Sequence, residues 1–260
     1  MIPSKAVSGI VPLTALLFYT IIAMILFLQH IDIEGPGTIE TYFHQKGFQS
    51  RIIALYDGEK LPAVLDNVEA VIAMGGPMNV YEETKYPFLA DENIFIKKAL
   101  SLDVPFLGVC LGSQLLAKAG GAEVTKSPVK EVGWFQVQMT NEGKMDPLFA
   151  GLGSELDVYH WHEDMFGIPP GGKLLATSPG CPHQAFRIGK NAYGLQFHVE
   201  VTDCIIGDWC KRYFQEENPV LQKDAHDMLQ EYHARKDKFN QTAGKLFENF
   251  SRILSEKKFR

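Results

Sequence analysis

Residues 104–119 read VPFLGVCLGSQLLAKA, an apolar run that passes through a cysteine between two glycines into a helical pattern. The run 104–109 is short and uniformly apolar, which is typical of a buried strand in a parallel sheet. Gly108 and Gly112 permit a sharp turn by which a strand can enter a helix while the side chain between them stays raised. The stretch therefore predicts a strand, a turn that presents Cys110, and a helix. On these residues alone, a small buried core cysteine is the alternative.

Apolar runs alternate with amphipathic stretches along the rest of the chain, which favours an α/β fold. We predict an open, mostly parallel sheet with helices on both faces and further helices at the C-terminus. The glycine-rich turns 75–77 and 108–112 both follow strands, so they are expected at the carboxyl edge of the sheet, where ligands bind in such folds. The predicted strands are 24–28, 51–55, 70–74, 104–109, 133–139, 174–178, 184–188 and 193–197, and the predicted helices are 38–47, 62–67, 90–102 and 113–119.

The composition fits one globular domain that acts on a small molecule. Of the 260 residues, 46% are hydrophobic and 22% are charged, so the chain can bury one sizeable core. The formal net charge is −6 and no block of Lys or Arg exceeds a pair, which argues against nucleic acid or an anionic membrane as a partner. The four cysteines are scattered and form no CxxC pair, so a disulfide framework is not expected. A reducing, cytoplasmic location is predicted.

The N-terminus contains an uncharged stretch, residues 6–29, that is long enough to cross a bilayer. Its last part, 24–29, reads instead as the first strand, and Pro12 interrupts what is left. We interpret residues 1–23 as an N-terminal extension, either upstream of a start at Met24 or an anchor. A membrane role is the weaker of these alternatives.

Two further regions complete the expected organisation. Residues 24–217 are predicted to form the main domain, and residues 218–260 a helical extension packed on the same domain. Apolar side chains at spacings of three and four mark one face of this tail, although a partner-binding helix would show the same pattern. They are Phe239, Ala243, Leu246, Phe247, Phe250, Ile253 and Leu254.

A histidine and a glutamate end the apolar segment GLQFHVE, residues 194–200. In extended backbone, positions i and i+2 project to one face, so Glu200 can hold the ring of His198. Cysteine catalysis needs a base that deprotonates the thiol and an orienter that fixes the base. The pair therefore predicts a catalytic unit with Cys110. A surface polar pair or half of a metal site is the alternative.

His160-Trp161-His162 is a rival metal-binding motif, because together with His198 and Glu200 it could supply four ligands. A metal would leave the glycine-framed cysteine unexplained, and no cysteine ligand pair supports it. We therefore predict no metal and interpret His160 and His162 as part of a hydrogen-bonded loop.

These segments together resemble the class I glutamine amidotransferases, and most closely the stand-alone members similar to the amidotransferase domain of guanosine-monophosphate synthetase. The order and spacing of the matching segments are far more specific than any single motif. They are LQHIDIEGPGTIE at 28–40, GGPMNVYEE at 75–83, GVCLGSQLLA at 108–117, KEVGWFQV at 130–137, YHWHEDMF at 159–166, GLQFHVEVT at 194–202 and FENF at 247–250. The resemblance implies a flavodoxin-like fold.

It also implies a role for individual residues. Cys110 would be the nucleophile, with His198 as its base and Glu200 as the orienter of that base. The backbone amides of Gly76 and Leu111 would form the oxyanion hole.

Three further positions would bind the glutamine substrate in this resemblance. They are the side chain of Gln114 and the backbone around Trp161 and His162.

Two positions depart from the family pattern. Family members usually have proline between the histidine and the glutamate, where this chain has Val199, and glycine where this chain has Glu163. Valine tolerates the extended backbone that proline imposes. A glutamate at a position that requires positive φ would be strained, and its charge would alter which substrate enters.

The resemblance implies a glutaminase that splits the glutamine side-chain amide through a γ-glutamyl thioester on Cys110, without a cofactor. The chain contains neither a GxxxxGK[ST] phosphate loop nor an SGGxDS-like pyrophosphatase motif, so a separate synthase subunit would accept the ammonia. Two alternatives stay open. One is a hydrolase of γ-glutamyl peptides or conjugates that uses the same three residues, and the other is a non-catalytic binding module.

Overall fold

The computed structural model describes residues 23–214 and 219–258, whose strands form one sheet. The strands are β1 (Met24–Gln29), β2 (Gln49–Ala54), β3 (Val68–Ala73), β4 (Phe106–Val109), β5 (Val124–Met139), β6 (Glu155–Phe166), β7 (Lys173–Thr177), β8 (Ala185–Ile188) and β9 (Ala192–Leu195). Across the sheet they follow the order β2-β1-β3-β4-β9-β8-β7-β5-β6. The first five strands in this order, β2, β1, β3, β4 and β9, pair in parallel. All the other pairs of neighbouring strands are antiparallel. The predicted open α/β sheet is confirmed, with a parallel and an antiparallel half.

Helices cover both faces of the parallel half, as predicted, and one further helix packs against β7 and β5 of the antiparallel half. The helices are α1 (Gly37–Gln45), α2 (Phe88–Ser101), α3 (Leu111–Ala119), α4 (Asn141–Met145), α5 (Asp203–Tyr213) and α6 (Pro219–Lys258), of which α4 is the one on the antiparallel half. Ile25 and Phe27 of β1 belong to an apolar core with residues of α1 and α6. Leu26 and Leu28 belong to a second core, with residues of α2 and α3. Burial on both faces is the reason that residues 24–28 of β1 are all apolar.

The parallel register brings three chain segments to one edge of the sheet. Ala73 of β3 pairs with Gly108 of β4, and Val109 pairs with Leu195 of β9. The segments that follow these strands therefore adjoin one another, as expected for the carboxyl edge of an open α/β sheet.

α6 joins two apolar clusters. Tyr232 and Phe239 belong to a cluster with residues of α5. Phe247 and Phe250 belong to the core that contains β1, and the ring centroid of Phe250 lies 6.3 Å from that of Phe43 on α1. The apolar face of the tail is thus buried within the same body as the sheet.

Two regions differ from the sequence prediction. The helix predicted over 62–67 is wrong, since these residues lead into β3 without a helix. Pro62 starts that stretch, which is too short to form a helix without strong tertiary support. The loop predicted around His160 and His162 is also wrong, because both lie inside β6. The buried positions of β6 alternate as in any strand, but several carry polar side chains, so the apolar alternation is hidden.

No helix in the part of the chain that the structure describes is both long and apolar enough to cross a membrane. Most of the uncharged N-terminal stretch, up to residue 22, lies outside the described residues.

Candidate active site

Cys110 occupies a strained turn between β4 and α3. Its φ of 50° and ψ of −107° lie in a region that residues with a side chain rarely adopt. The flanking glycines are required by close packing. A Cβ on Gly108 would lie 2.5 Å from the carbonyl carbon of Gly112, and one on Gly112 would lie 2.2 Å from the carbonyl oxygen of Ala73. The turn therefore has the sharp geometry that the two glycines predicted.

The sulfur of Cys110 faces a polar environment although the residue is only 5% exposed. It lies at the N-terminus of α3, where the helix dipole favours negative charge. Its Sγ is 3.7 Å from the carbonyl oxygen of Trp161 and 3.9 Å from Nε2 of Gln196. The side chain is thus placed as a nucleophile would be, at the edge of a pocket and beside a helix N-terminus.

His198 and Glu200 form a tight buried pair beside this turn. Nδ1 of His198 lies 2.6 Å from Oε1 of Glu200, and the two side chains are 1% and 2% exposed. The backbone amide of Val199 donates a hydrogen bond of 2.9 Å to the other oxygen, Oε2. The His198 ring also packs edge-on against Trp209, with 4.8 Å between ring centroids. Both oxygens of Glu200 are therefore engaged, which fixes the carboxylate and, through it, the ring.

The charge state of His198 follows from these contacts. Burial alone would lower the pKa of His198, but the negative charge of Glu200 and the interaction with the Cys110 side chain outweigh it and raise the pKa well above its ordinary value. The ring is thus held ready to carry a proton next to the sulfur.

The two residues whose amides are expected to stabilise an oxyanion lie close together. Leu111 is the first residue of α3, where amide groups have no partner inside the helix. A Cβ added to Gly76 would lie 2.9 Å from Cδ2 of Leu111, so the two residues are in contact across the pocket edge. Gly76 and Cys110 line the same pocket. Leu111 follows Cys110 in the chain and lies next to Gly76.

The three residues expected to bind substrate all line the same pocket, but Nε2 of Gln114 and both ring nitrogens of His162 already have partners within the protein. Nε2 of Gln114 donates to the carbonyl oxygen of Asp164 at 3.1 Å and to Oε1 of Gln196 at 3.2 Å. The carbonyl of Trp161 faces the Cys110 sulfur. The side chains of Gln114 and His162 therefore brace the pocket wall.

His162 belongs to a buried network centred on Glu131, which was not identified from the sequence. Nε2 of His162 lies 2.9 Å from Oε2 of Glu131, and Nδ1 of His160 lies 3.3 Å from the same oxygen. Ser178 and Gln184 donate to this carboxylate as well. Burial opposes ionisation of Glu131, but the hydrogen bonds from the two histidines outweigh it and lower the pKa of that carboxyl.

The same network contains the atoms that could hold a metal ion. One ligand atom each from Glu131, His160 and His162 lie within 4.8 Å of one another. The grouping differs from the one considered on sequence grounds, because Glu131 takes the place of His198 and Glu200. Burial lowers the pKa of His160 to about 4, so its ring is neutral near pH 7 and donates to the carboxylate as an ordinary hydrogen-bond partner.

The two departures from the family pattern are both accommodated. Glu163 is not among the described residues with positive φ, so the strain considered from the sequence does not arise. Its carboxylate is exposed at the pocket rim and pairs with Lys130 at 2.5 Å. Val199 supplies the amide donor to Glu200 that a proline would lack.

The pocket has a second wall that sequence reasoning missed. The pocket that Cys110 lines is a cavity of about 290 Å³, and Glu34, Trp209 and Tyr213 also line it. The Tyr213 hydroxyl donates a 2.8 Å hydrogen bond to Oε1 of Glu34 across 179 residues of chain. Glu34 could have been identified from the sequence, because it follows β1 at the carboxyl edge of the sheet, where ligands bind.

Comparison with known proteins identifies a family model and relatives that are similar in sequence. The family model described as glutamine amidotransferase class-I matches residues 37–205. The glutamine amidotransferase-like protein YfeJ of Salmonella typhimurium is 36% identical over 179 residues, which cover 68% of this chain and 75% of that protein. A glutamine-hydrolyzing GMP synthase of Thermosipho africanus is 36% identical over 166 residues, which cover 63% of this chain but only 30% of that enzyme.

A solved structure is also similar over nearly its whole length. The crystal structure of a glutamine amidotransferase from Thermotoga maritima has a TM-score of 0.80 and 32% sequence identity to this chain, and the match covers 90% of this chain and 98% of that one.

Proposed function

Because the chain belongs to the class I glutamine amidotransferase family, we propose that it cleaves the side-chain amide of glutamine, or of a closely related γ-glutamyl compound, with Cys110 as the nucleophile. The observation that carries this proposal is the placement of His198 beside Cys110 and 2.6 Å from Glu200. A base held by a carboxylate next to a cysteine on a sharp turn is the arrangement that covalent acyl transfer needs.

In the first step the Cys110 thiolate attacks the γ-carbonyl carbon. The oxyanion that forms is stabilised by the amides of Gly76 and Leu111. His198 transfers its proton to the nitrogen, the carbon–nitrogen bond breaks, and ammonia or an amine departs. A γ-glutamyl thioester remains on the sulfur.

In the second step water completes the cycle. His198, now neutral, takes a proton from a water molecule that attacks the thioester carbon. The carbon–sulfur bond breaks and glutamate is released, while Glu200 keeps the ring of His198 oriented throughout. No cofactor enters either step.

The fate of the nitrogen is a second part of the proposal. The GMP synthase relative is named as glutamine-hydrolyzing, and this chain spans 30% of its length. If glutamine is the substrate, we propose that a separate synthase subunit accepts the ammonia. A hydrolase of γ-glutamyl conjugates would need no such partner, and the cavity that Cys110 lines leaves space for a leaving group larger than ammonia. A cytoplasmic location stays a prediction.

Replacement of the nucleophile tests the proposal. Cys110→Ala should abolish hydrolysis of glutamine and γ-glutamyl amides, because no other side chain can form the thioester. A glutamine-like electrophile should add one label, found at Cys110 by mass spectrometry of peptides. The exposed Cys204 provides a matched control, since Cys204→Ala should leave both turnover and labelling unchanged. Turnover that persists in folded Cys110→Ala would refute the mechanism. A wild-type protein that neither hydrolyses the two substrates nor reacts with the label would favour a non-catalytic binding module.

A further inference from the structure

We propose that the wall formed by Glu34, Trp161, Trp209 and Tyr213, here called the amine wall, binds a cationic group on the leaving amine. The preferred substrates would then be γ-glutamyl amides whose amine carries a second, positively charged ammonium group. This inference rests on the proposed γ-glutamyl hydrolysis and specifies its substrate class.

The position of Glu34 relative to His198 places the amine wall on the leaving-group side. A Cβ built on Gly75 would lie 2.3 Å from Oε2 of Glu34 and 3.0 Å from Cε1 of His198, so the two side chains flank one point. Nδ1 of His198 is occupied by Glu200, which leaves Nε2 to protonate the departing nitrogen. Cε1 is bonded to both ring nitrogens, so the carboxylate of Glu34 lies near the ring edge that includes Nε2. An amine that His198 protonates therefore departs near Glu34.

The remaining residues of the amine wall are aromatic. The ring of Trp161 lies 5.7 Å from that of Trp209 and 5.7 Å from that of Tyr213, measured between centroids. All three line the cavity together with Glu34. Aromatic faces next to a carboxylate form an environment that attracts ammonium groups through cation–π and ionic interactions. A carboxylate-bearing or purely apolar amine would gain less there.

The charges around the pocket also favour a cationic ligand. The two other acidic residues that line the cavity have cationic partners, with Lys126 2.8 Å from Asp164 and Lys130 2.5 Å from Glu163. Glu34 is hydrogen-bonded to the neutral hydroxyl of Tyr213. Burial raises the pKa of the Glu34 carboxyl, and the charge of His198 together with the Tyr213 hydrogen bond opposes this without cancelling it. The charge of His198 is lost when this residue protonates the departing nitrogen, and a cationic group on the amine would then replace it beside Glu34.

The proposed reaction is balanced by water alone. The amide carbon–nitrogen bond breaks as the carbon–sulfur bond forms, and the amine departs with the proton from His198. Water then replaces sulfur on the carbon, which gives glutamate and the free diamine-like product.

Two isosteric substrates test the inference. The γ-glutamyl amides of 1,4-diaminobutane and of pentylamine differ only by a terminal ammonium in place of a methyl group. We expect kcat/KM to favour the ammonium substrate by about tenfold or more in the wild type, which corresponds to the loss or gain of one good ionic contact. Glu34→Gln should bring this ratio close to one. Asp32→Asn, which removes a charge from the same loop where Asp32 pairs with Arg212, should keep the ratio of the wild type.

A second variant separates charge from loss of the hydrogen bond. Tyr213→Phe removes the hydroxyl that holds Glu34 but leaves the carboxylate, so the preference for the ammonium substrate should persist. Circular dichroism and labelling of Cys110 establish that each variant is folded.

Each remaining outcome contradicts a defined part of the inference. Equal turnover of the two amides by the wild type would refute the amine wall while the hydrolase itself stands. A Glu34→Gln variant that loses activity equally on both substrates would show that Glu34 binds the α-ammonium group of the γ-glutamyl moiety instead. Failure of the folded wild type to hydrolyse glutamine or either amide would overturn the proposed function, and the inference with it.

Discussion

At the scale of single residues, Val199 shows how a departure from the family pattern can add a contact. Its amide donates to Oε2 of Glu200, and a proline at this position has no hydrogen to donate. We expect Val199→Pro to lower kcat by about tenfold, or about 1.4 kcal/mol in activation free energy. Val199→Ala keeps the amide and should retain activity. Steady-state kinetics of both variants measure the effect, and equal activity of the two would show that the hydrogen bond does not orient Glu200.

The charge of Glu200 should be visible in the pH dependence of activity. It is the largest influence that raises the pKa of His198 against burial. Acylation needs protonated His198, so kcat/KM should fall at alkaline pH as the ring loses its proton. In Glu200→Gln the raising charge is gone, the apparent pKa falls, and the alkaline limb moves to lower pH. A limb that stays in place would show that another group controls it, since apparent values belong to coupled groups.

Glu200 and His198 are also expected to act as one unit. Adding Glu200→Gln to His198→Ala should cost little beyond His198→Ala alone, because an orienter has no function without the group it orients. Multiplicative losses in the double variant would mean that the two residues act independently.

At the scale of elements, α6 contributes to the same core as the sheet. Phe250 is fully buried and packs near Phe43 and Tyr193. Phe250→Ala should reduce the free energy of unfolding by about 3–5 kcal/mol, the range observed for large aromatic deletions in cores. Ser255 is exposed on the same helix, so Ser255→Ala should change it by less than about 0.5 kcal/mol. Urea unfolding measures both. A small effect of Phe250→Ala would indicate that the helix packs only loosely on the sheet.

The elements also show what local patterns can and cannot predict. The apolar stripe of α6 and the buried strand β4 were predictable, because their periodicity reflects one buried face or two. β6 was not, since its inward positions carry His160, His162 and Asp164. Their burial is explained by hydrogen bonds to partners such as Glu131, 31 residues away from His162, and a sequence pattern does not reveal such partners.

At the scale of the whole molecule, one part of the pocket could be predicted from short segments of the sequence and another part could not. Cys110 and the His198–Glu200 pair could be proposed from short segments, because each segment carries its own chemistry. The amine wall could not, because the fold alone brings Glu34 and Tyr213 together from positions 179 residues apart. Long-range contacts of this kind become readable only once the order of the strands is known.

The last prediction concerns which parts of the chain the fold requires. β1 begins at Met24, whose amide donates to the carbonyl of Asn67, so a chain of residues 24–260 should fold and retain activity.

A chain of residues 1–214 should behave differently. It lacks five large apolar side chains that α6 buries in the core: Leu246, Phe247, Phe250, Ile253 and Leu254. At about 1.5–3 kcal/mol for each buried side chain, their loss is comparable to the whole net stability of a typical domain, about 5–15 kcal/mol. The shorter chain should therefore be insoluble or lack a cooperative thermal transition. Soluble yield, calorimetry and kcat/KM compare the two proteins with the full chain. A stable, active 1–214 protein would show that α6 is dispensable, and an unfolded 24–260 protein would show that residues before Met24 belong to the folded body.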